Sequence, residues 1–515
     1  MRTRVIAVVG LVAIITAACG AADPGVTATR SRAGSTGNTP TDTTGGGGGQ
    51  LIPSDTTGGT TGGGGTTPPK KTYTIIDGVV DFGNLGPRHP KYDGFLTAAF
   101  GDIQDYWAKA FPQAYKTAWT PLKGGIFAAY PDRTTPIPGC GSPQSSYQDV
   151  ASRGAFYCSQ GDFMAYDDDK LLPSLVDQLG KEAVAVVLAH EFGHAVQHRA
   201  GEDNQPVILK EQQADCFAGA WTAHVASGGS KLISFDDNAV KGGLIAMINV
   251  RDPVNGNGLN DPDAHGTGFD RVGAFQDGFL GGPDRCKTFF TEDRVSKLID
   301  IPFDTADPNQ GNLPLVDPNP DPTNGASDIV TLIPKSLDFF WEALATANKV
   351  PFTAPKFTQY PDAGPYPNCA GIAPATYKNN VVYCAADNTI YWDFDYALKL
   401  SKDALTGDMS VGYLFSNAYS DAIQTALKSS RKGAKRALFD DCLTGAWVGS
   451  VVPPIPTDRQ DQLSLSAGDL DEAVITAIAR GDQSTDSNVN GMAFDKITAF
   501  RTGVLGGLNV CQSQK

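Results

Sequence analysis

The chain has 515 residues, 41% of them hydrophobic and 19% charged, a length that suits two or three domains with cores of their own. Asp and Glu number 56 against 41 Lys and Arg, a net charge of -15, and no basic run occurs. That balance excludes nucleic acid and anionic membrane surfaces as electrostatic partners.

In chain order, Arg2 and Arg4 precede an apolar run from Val5 to Ile15, then Ala17, Ala18 and Cys19. A basic start, a short apolar stretch and small residues predict an export signal over 1–18, too short to span a bilayer as a mature helix. Thr16-Ala17-Ala18-Cys19 resembles a bacterial lipobox and departs from it at Thr16, where an aliphatic residue is usual. It implies lipidation of Cys19 and a protein held at the outer face of the cell membrane; cleavage near Ala22 would instead release a secreted protein. Residues 19–72 are mostly Gly, Thr, Ser and Pro, a flexible tether with a reach of roughly 40 Å.

A domain is expected over 73–300. AFYC at 155–158 and FMAYD at 163–167 read as two short strands joined by a Gly-containing turn. Helices are expected at 99–111, 171–199, 207–226, 236–250 and 269–279. A segment rich in Pro, Asp and Asn, 301–327, reads as a linker, and 328–515 repeats the first domain. FDRVGAFQDGFLGG from Phe269 answers FDKITAFRTGVLGG from Phe494, and DCFAGAW from Asp215 answers DCLTGAW from Asp441. The fold class expected is mainly α, α+β in detail, with a small sheet, duplicated in tandem.

The duplication accounts for the nine cysteines. Four in each copy correspond, which leaves Cys19 alone. Like spacings in the two copies suggest disulfides Cys140–Cys158 and Cys216–Cys286, then Cys369–Cys384 and Cys442–Cys511; four cysteines allow three connectivities. No CxxC supports a cysteine zinc site.

The residues that carry chemistry lie in VAVVLAHEFGHAVQ, 184–197. His190 and His194 stand four apart, on one face of a helix, where both imidazoles can reach one metal. Glu191 then sits beside the open coordination position as general base of a zinc hydrolase. A third ligand is needed, and Glu211 in KEQQADCFAGAW supplies it, with Asp215 one turn on to hold the far nitrogen of a ligand imidazole. Gln212 reads as an ordinary surface residue, and His198 and His224 as surface histidines; His89 carries no signal.

FYC at 156–158, HEFGHAVQH, EQQADCFAGAW and HGTGFDR at 265–271 together resemble the bacterial neutral zinc metallopeptidases, over most of residues 75–290. The resemblance implies a zincin-like domain, a gluzincin-type site with one zinc per chain, and hydrolysis of peptide or protein substrates. With the export signal it implies further a lipid-anchored peptidase of the kind typical of actinobacteria. The string departs at Asp270, where a Gln is expected before Arg271. His265 is the candidate for stabilising the developing oxyanion.

The second copy serves as an internal control. Asn417 stands for His190, Ala418 for Glu191, Asp421 for His194, Ala437 for Glu211 and Asn490 for His265. Trp447, Gln424 and Asp441 keep the places of Trp221, Gln197 and Asp215. The second domain is therefore expected to be inactive and free of zinc, and Asp215 to have a structural role of its own. Two rival readings share these residues: a peptide-binding lipoprotein without catalysis, and a zinc amide hydrolase acting on cell-wall material.

Overall fold

The computed structural model describes residues 79–84, 92–252, 264–301, 311–320, 326–403, 405–455, 463–481 and 492–513. The export signal, Cys19 and the tether, His89, Asn490 and part of the 301–327 segment lie outside the described residues. No helix among them is long and apolar enough to cross a membrane.

The first half opens with α1 (Asp93–Tyr115) and β1 (Gly125–Ala129), followed by a short ribbon of β2 (Ile137–Pro138) and β3 (Gln144–Ser145) and by α2 (Tyr147–Ala151). Then come β4 (Ala155–Cys158), β5 (Phe163–Asp167), α3 (Leu171–Leu179), α4 (Lys181–Ala200), α5 (Val207–Ala226), α6 (Asp237–Asn249) and α7 (Gly268–Cys286). The sheet order is β1-β5-β4: β1 runs parallel to β5, and β4 pairs antiparallel with it as the outermost strand.

The second half repeats this plan with α8 (Ile329–Ala347), β6 (Lys356–Tyr360), β7 (Val381–Cys384), β8 (Thr389–Asp393), α9 (Phe394–Lys402), α10 (Gly407–Ala426), α11 (Ala434–Ser450), α12 (Asp469–Arg480) and α13 (Ala493–Ser513). Its sheet, β6-β8-β7, has the same parallel and antiparallel pairs. The expected strands and helices are present, while β1, the β2–β3 ribbon and α2 lie outside the expected elements and the helix expected at 99–111 spans Asp93–Tyr115; two further helices need correction. The expected helix 171–199 is two helices, because Gly180 between α3 and α4 takes φ 91, which breaks the helical run and which residues with a Cβ rarely adopt. The helix expected at 269–279 runs on to Cys286 across a kink at Gly282, and α13 repeats that kink at Gly507.

Disulfides join Cys140 to Cys158 and Cys216 to Cys286 in the first half, and Cys369 to Cys384 and Cys442 to Cys511 in the second. The second bridge of each half ties a helix pair in near-backbone contact. A Cβ on Gly219 of α5 would lie 2.0 Å from the Phe275 carbonyl oxygen of α7, and one on Gly278 would lie 1.7 Å from that of Cys216. Gly445 and Gly503 repeat the fit between α11 and α13. Only glycine allows this approach, so Gly278→Ala is expected to cost about 1–3 kcal/mol of stability in urea unfolding, from overpacking alone. Trp221 and Trp447, both fully buried, donate from Nε1 to Asp102 and Ser336 on the first helix of their own half.

The halves share one continuous hydrophobic core. At their junction Phe279 meets Phe494 with ring centroids 4.6 Å apart, and the Arg501 guanidinium lies 4.1 Å from the Phe269 ring centroid and donates to the Phe269 carbonyl. Gln276 donates to the Phe494 carbonyl and to the Thr498 hydroxyl. Asp471 reaches from α12 to accept the Phe269 amide at 2.7 Å, in the first turn of α7, and pairs with Arg251 at 2.7 Å.

Candidate metal centre

Helix α4 is almost wholly buried from Ala183 to Gln197, which follows from its apolar composition on every face. His190, Glu191 and Glu211 are 3, 5 and 2% exposed. Helix α5 packs alongside α4 because Gly193 lets it close in: a Cβ there would lie 3.0 Å from the Ala214 Cα. That contact brings Glu211 opposite the two histidines.

His190, His194 and Glu211 each offer a ligand atom, and the three lie within 4.8 Å of one another. His190 Nε2 is 3.2 Å from Glu211 Oε2, and His194 Nε2 is 3.5 Å from Glu211 Oε1. The buried Nε2 of His194 and Oε2 of Glu211 have no hydrogen-bond partner among the described residues. Orphaned buried atoms are costly, and two imidazole nitrogens converging with a carboxylate match the donor set of zinc. The residues therefore fit the metal that the motif implies.

Both ligand rings are fixed from behind, as metal-binding imidazoles require. Nδ1 of His190 is 2.7 Å from Asp215 Oδ1, and Nδ1 of His194 is 2.9 Å from Gln197 Oε1. Asp215 is fully buried and also accepts from Arg271 Nη2 at 2.8 Å, while Arg271 Nη1 donates to the Val250 carbonyl. Gln197 donates in turn to the Lys210 carbonyl, which links α4 to the start of α5.

Burial pushes the His190 imidazole down, but the Asp215 and Glu211 carboxylates outweigh it and hold it up at about 10. Burial likewise raises Glu211, and the neighbouring His194 and His265 overcome it and hold that carboxyl well below its usual range.

His265 enters from the loop before α7, with Nε2 3.8 Å from Glu211 Oε2. Asp252 holds it: the carboxylate accepts the His265 and Gly266 amides and lies 3.2 Å from Nδ1. Asp270, the departure from the family string, is buried at the start of α7, where its amide donates to Thr267 and its carboxylate accepts the Ile299 amide. Burial pushes its carboxyl up to about 6.

Two readings of single residues need correction, while His198 is open as expected. Gln212 is not at the surface: it is fully buried, with Arg294 donating to its Oε1. His224 is partly covered, with its ring 5.0 Å from that of Tyr106 and Nε2 3.7 Å from Asp102. His198 is more open and pairs with Asp203 at 2.8 Å. The sequence reading also missed Arg271, Asp252 and the hold of Gln197 on His194. A signal existed for two of them: Gln424 keeps the Gln197 place and Lys496 keeps a cation at the Arg271 place.

The second half shows what those places do without the ligands. Gln424 still donates to the Arg436 carbonyl, as Gln197 does to Lys210. Asp441, fully buried, accepts from Lys496 Nζ at 2.7 Å, from Asn417 at 3.0 Å and from the Tyr413 hydroxyl. The buried acid–base pair that joins α5 to α7 persists between α11 and α13, where the imidazole is gone.

Residues 86–289 match the model of the family described as "Putative neutral zinc metallopeptidase". The match takes in every first-half residue of the centre and stops before the second half. The protein named "Uncharacterized protein YpfJ" of Escherichia coli K12 is 28% identical over 226 residues, 40% of this chain and 74% of its own. "Uncharacterized protein Rv2575" of Mycobacterium tuberculosis H37Rv is 31% identical over 181 residues, 30% of this chain and 59% of its own. No solved structure matches significantly. Over residues 86–289 the chain is therefore similar to that zinc metallopeptidase family.

Proposed function

We propose that the chain is a zinc-dependent peptidase whose chemistry is confined to its first half. One observation carries the reading: the buried, orphaned Nε2 of His194 and Oε2 of Glu211 converge with His190, and Glu191 is one residue away on the same helix. Zinc held by His190, His194 and Glu211 supplies a Lewis acid, which lowers the pKa of water toward about 7 and polarises a carbonyl. Glu191 takes the proton of the attacking water on a carboxylate oxygen and delivers it to the leaving amine nitrogen. Asp215 and Gln197 keep the ligand rings in one orientation through the cycle. His265, oriented by Asp252, donates a hydrogen bond to the carbonyl oxygen as that atom gains charge.

The outermost strand β4 precedes the ligand helices, and an extended peptide adds to such an edge by backbone hydrogen bonds. Cys19 and the tether anchor the enzyme at the outer face of the membrane, where peptides and proteins reach it. The second half holds no zinc.

Elemental mass spectrometry of the purified chain tests the centre: one zinc per chain is expected, lost in His190→Ala. A zinc-free protein after careful handling would leave a peptide-binding protein as the better reading. With a peptide substrate in hand, His265→Ala is expected to lower kcat by about 10²–10³-fold and to retain its zinc. An unchanged kcat would remove His265 from the mechanism.

A further inference from the structure

We propose that Asp408, Asp469 and Glu472 form a calcium site in the second half, separate from the zinc centre. Asp408 opens helix α10, Asp469 opens α12 and Glu472 lies one turn further along α12. One oxygen from each falls within 4.8 Å of the others, a span that bonds of about 2.3–2.6 Å to one calcium can bridge. Asp408 and Asp469 are 5 and 4% exposed, and Oδ1 of Asp408 is buried with no hydrogen-bond partner among the described residues.

Four of the other five oxygens are held by donors. Asp408 Oδ2 accepts the Leu313 amide, Asp469 accepts both the amide and the hydroxyl of Ser466, and Glu472 Oε2 accepts the Met409 amide. Donors of this kind, with the positive ends of two helices, favour the ionised carboxylates. Three negative charges then need a cation.

Three other buried acids have a cation of their own. Arg271 serves Asp215, Lys496 serves Asp441 and Arg251 serves Asp471. Among the described residues no Lys or Arg forms an ion pair with Asp408, Asp469 or Glu472. In the absence of a cation, burial pushes Asp408 up to about 6, and burial with repulsion from the neighbouring carboxyls pushes the other two well above their usual range. Hard oxygens without nitrogen or sulfur select calcium over zinc, and backbone carbonyls or water complete its shell.

The site belongs to the second copy alone. Asp408 follows Gly407 at the start of α10 as Lys181 follows Gly180 at the start of α4, so the first copy has a base there. The ion would fix the N-terminus of α12, beside the Asp471 that holds α7.

The test uses the full chain, stripped with EGTA and given back one equivalent of zinc. Calcium chloride is then titrated by calorimetry and by thermal unfolding. One calcium per chain and a rise in Tm of about 5 °C or more are expected, both absent in Asp408→Asn and in Glu472→Gln. No heat and no change in Tm in the wild type up to about 10 mM calcium would overturn the site, and the carboxyls would then share protons. An equal response to magnesium would overturn the choice of calcium. Because the wild-type titration needs no variant, a variant that fails to fold leaves the test intact.

Discussion

Glu191→Gln is expected to lower kcat by about 10²–10⁴-fold while one zinc per chain remains bound. Glutamine has the shape of glutamate and cannot take a proton from water. Glu191 is 5% exposed, so the exchange places a neutral amide in a space already shaped for it. It is not among the three residues whose ligand atoms converge, so the metal site keeps its donors. Kinetics and zinc content measured on one preparation separate the two effects. Turnover that survived would mean that another group acts as the base, and zinc that was lost would mean that Glu191 supports the ligands.

The second large effect is expected at Arg271, which never meets the metal. Arg271→Leu leaves Asp215 buried as an anion with only His190 beside it. Breaking a buried pair from one side costs about 3–5 kcal/mol, which urea unfolding would read. Zinc affinity, measured against a competing chelator, is expected to fall about 10–100-fold, because the Asp215 carboxylate that orients the His190 ring loses the cation that fixes it. Arg271→Lys should recover most of the stability, because Lys496 already makes this pair with Asp441 in the second half. A variant Arg271→Leu as stable as the wild type would show that the pair contributes nothing net, which burial of both partners makes the less favourable outcome.

Much of this was legible in the sequence, for physical reasons. Helices α4 and α5 carry long apolar runs, and the 190–194 spacing puts two imidazoles on one face whatever the tertiary contacts. The duplication separated fold from chemistry, since Asn417, Ala418 and Asp421 replace the reactive residues while the cysteines stay. What the pattern could not give depends on contacts between distant segments. Strand β1 lies some forty positions from β5 and shows itself only through parallel pairing. The break at Gly180 sits in a sequence that is helical on both sides. Gln212 looks polar and exposed until Arg294, far along the chain, covers it. Asp252 holds His265 from 13 positions up the chain, where no motif marks it.

The junction between the halves bears on how the chain could be divided. Each disulfide closes within one half, so a protease cutting between residues 301 and 328 would sever the sole covalent link. The two pieces would still migrate as one species in a native gel and would part in denaturant without reductant. The second half thus acts as a splint: the surface of α12 that touches Phe269 and Arg251 bears on α7, the helix that carries Arg271.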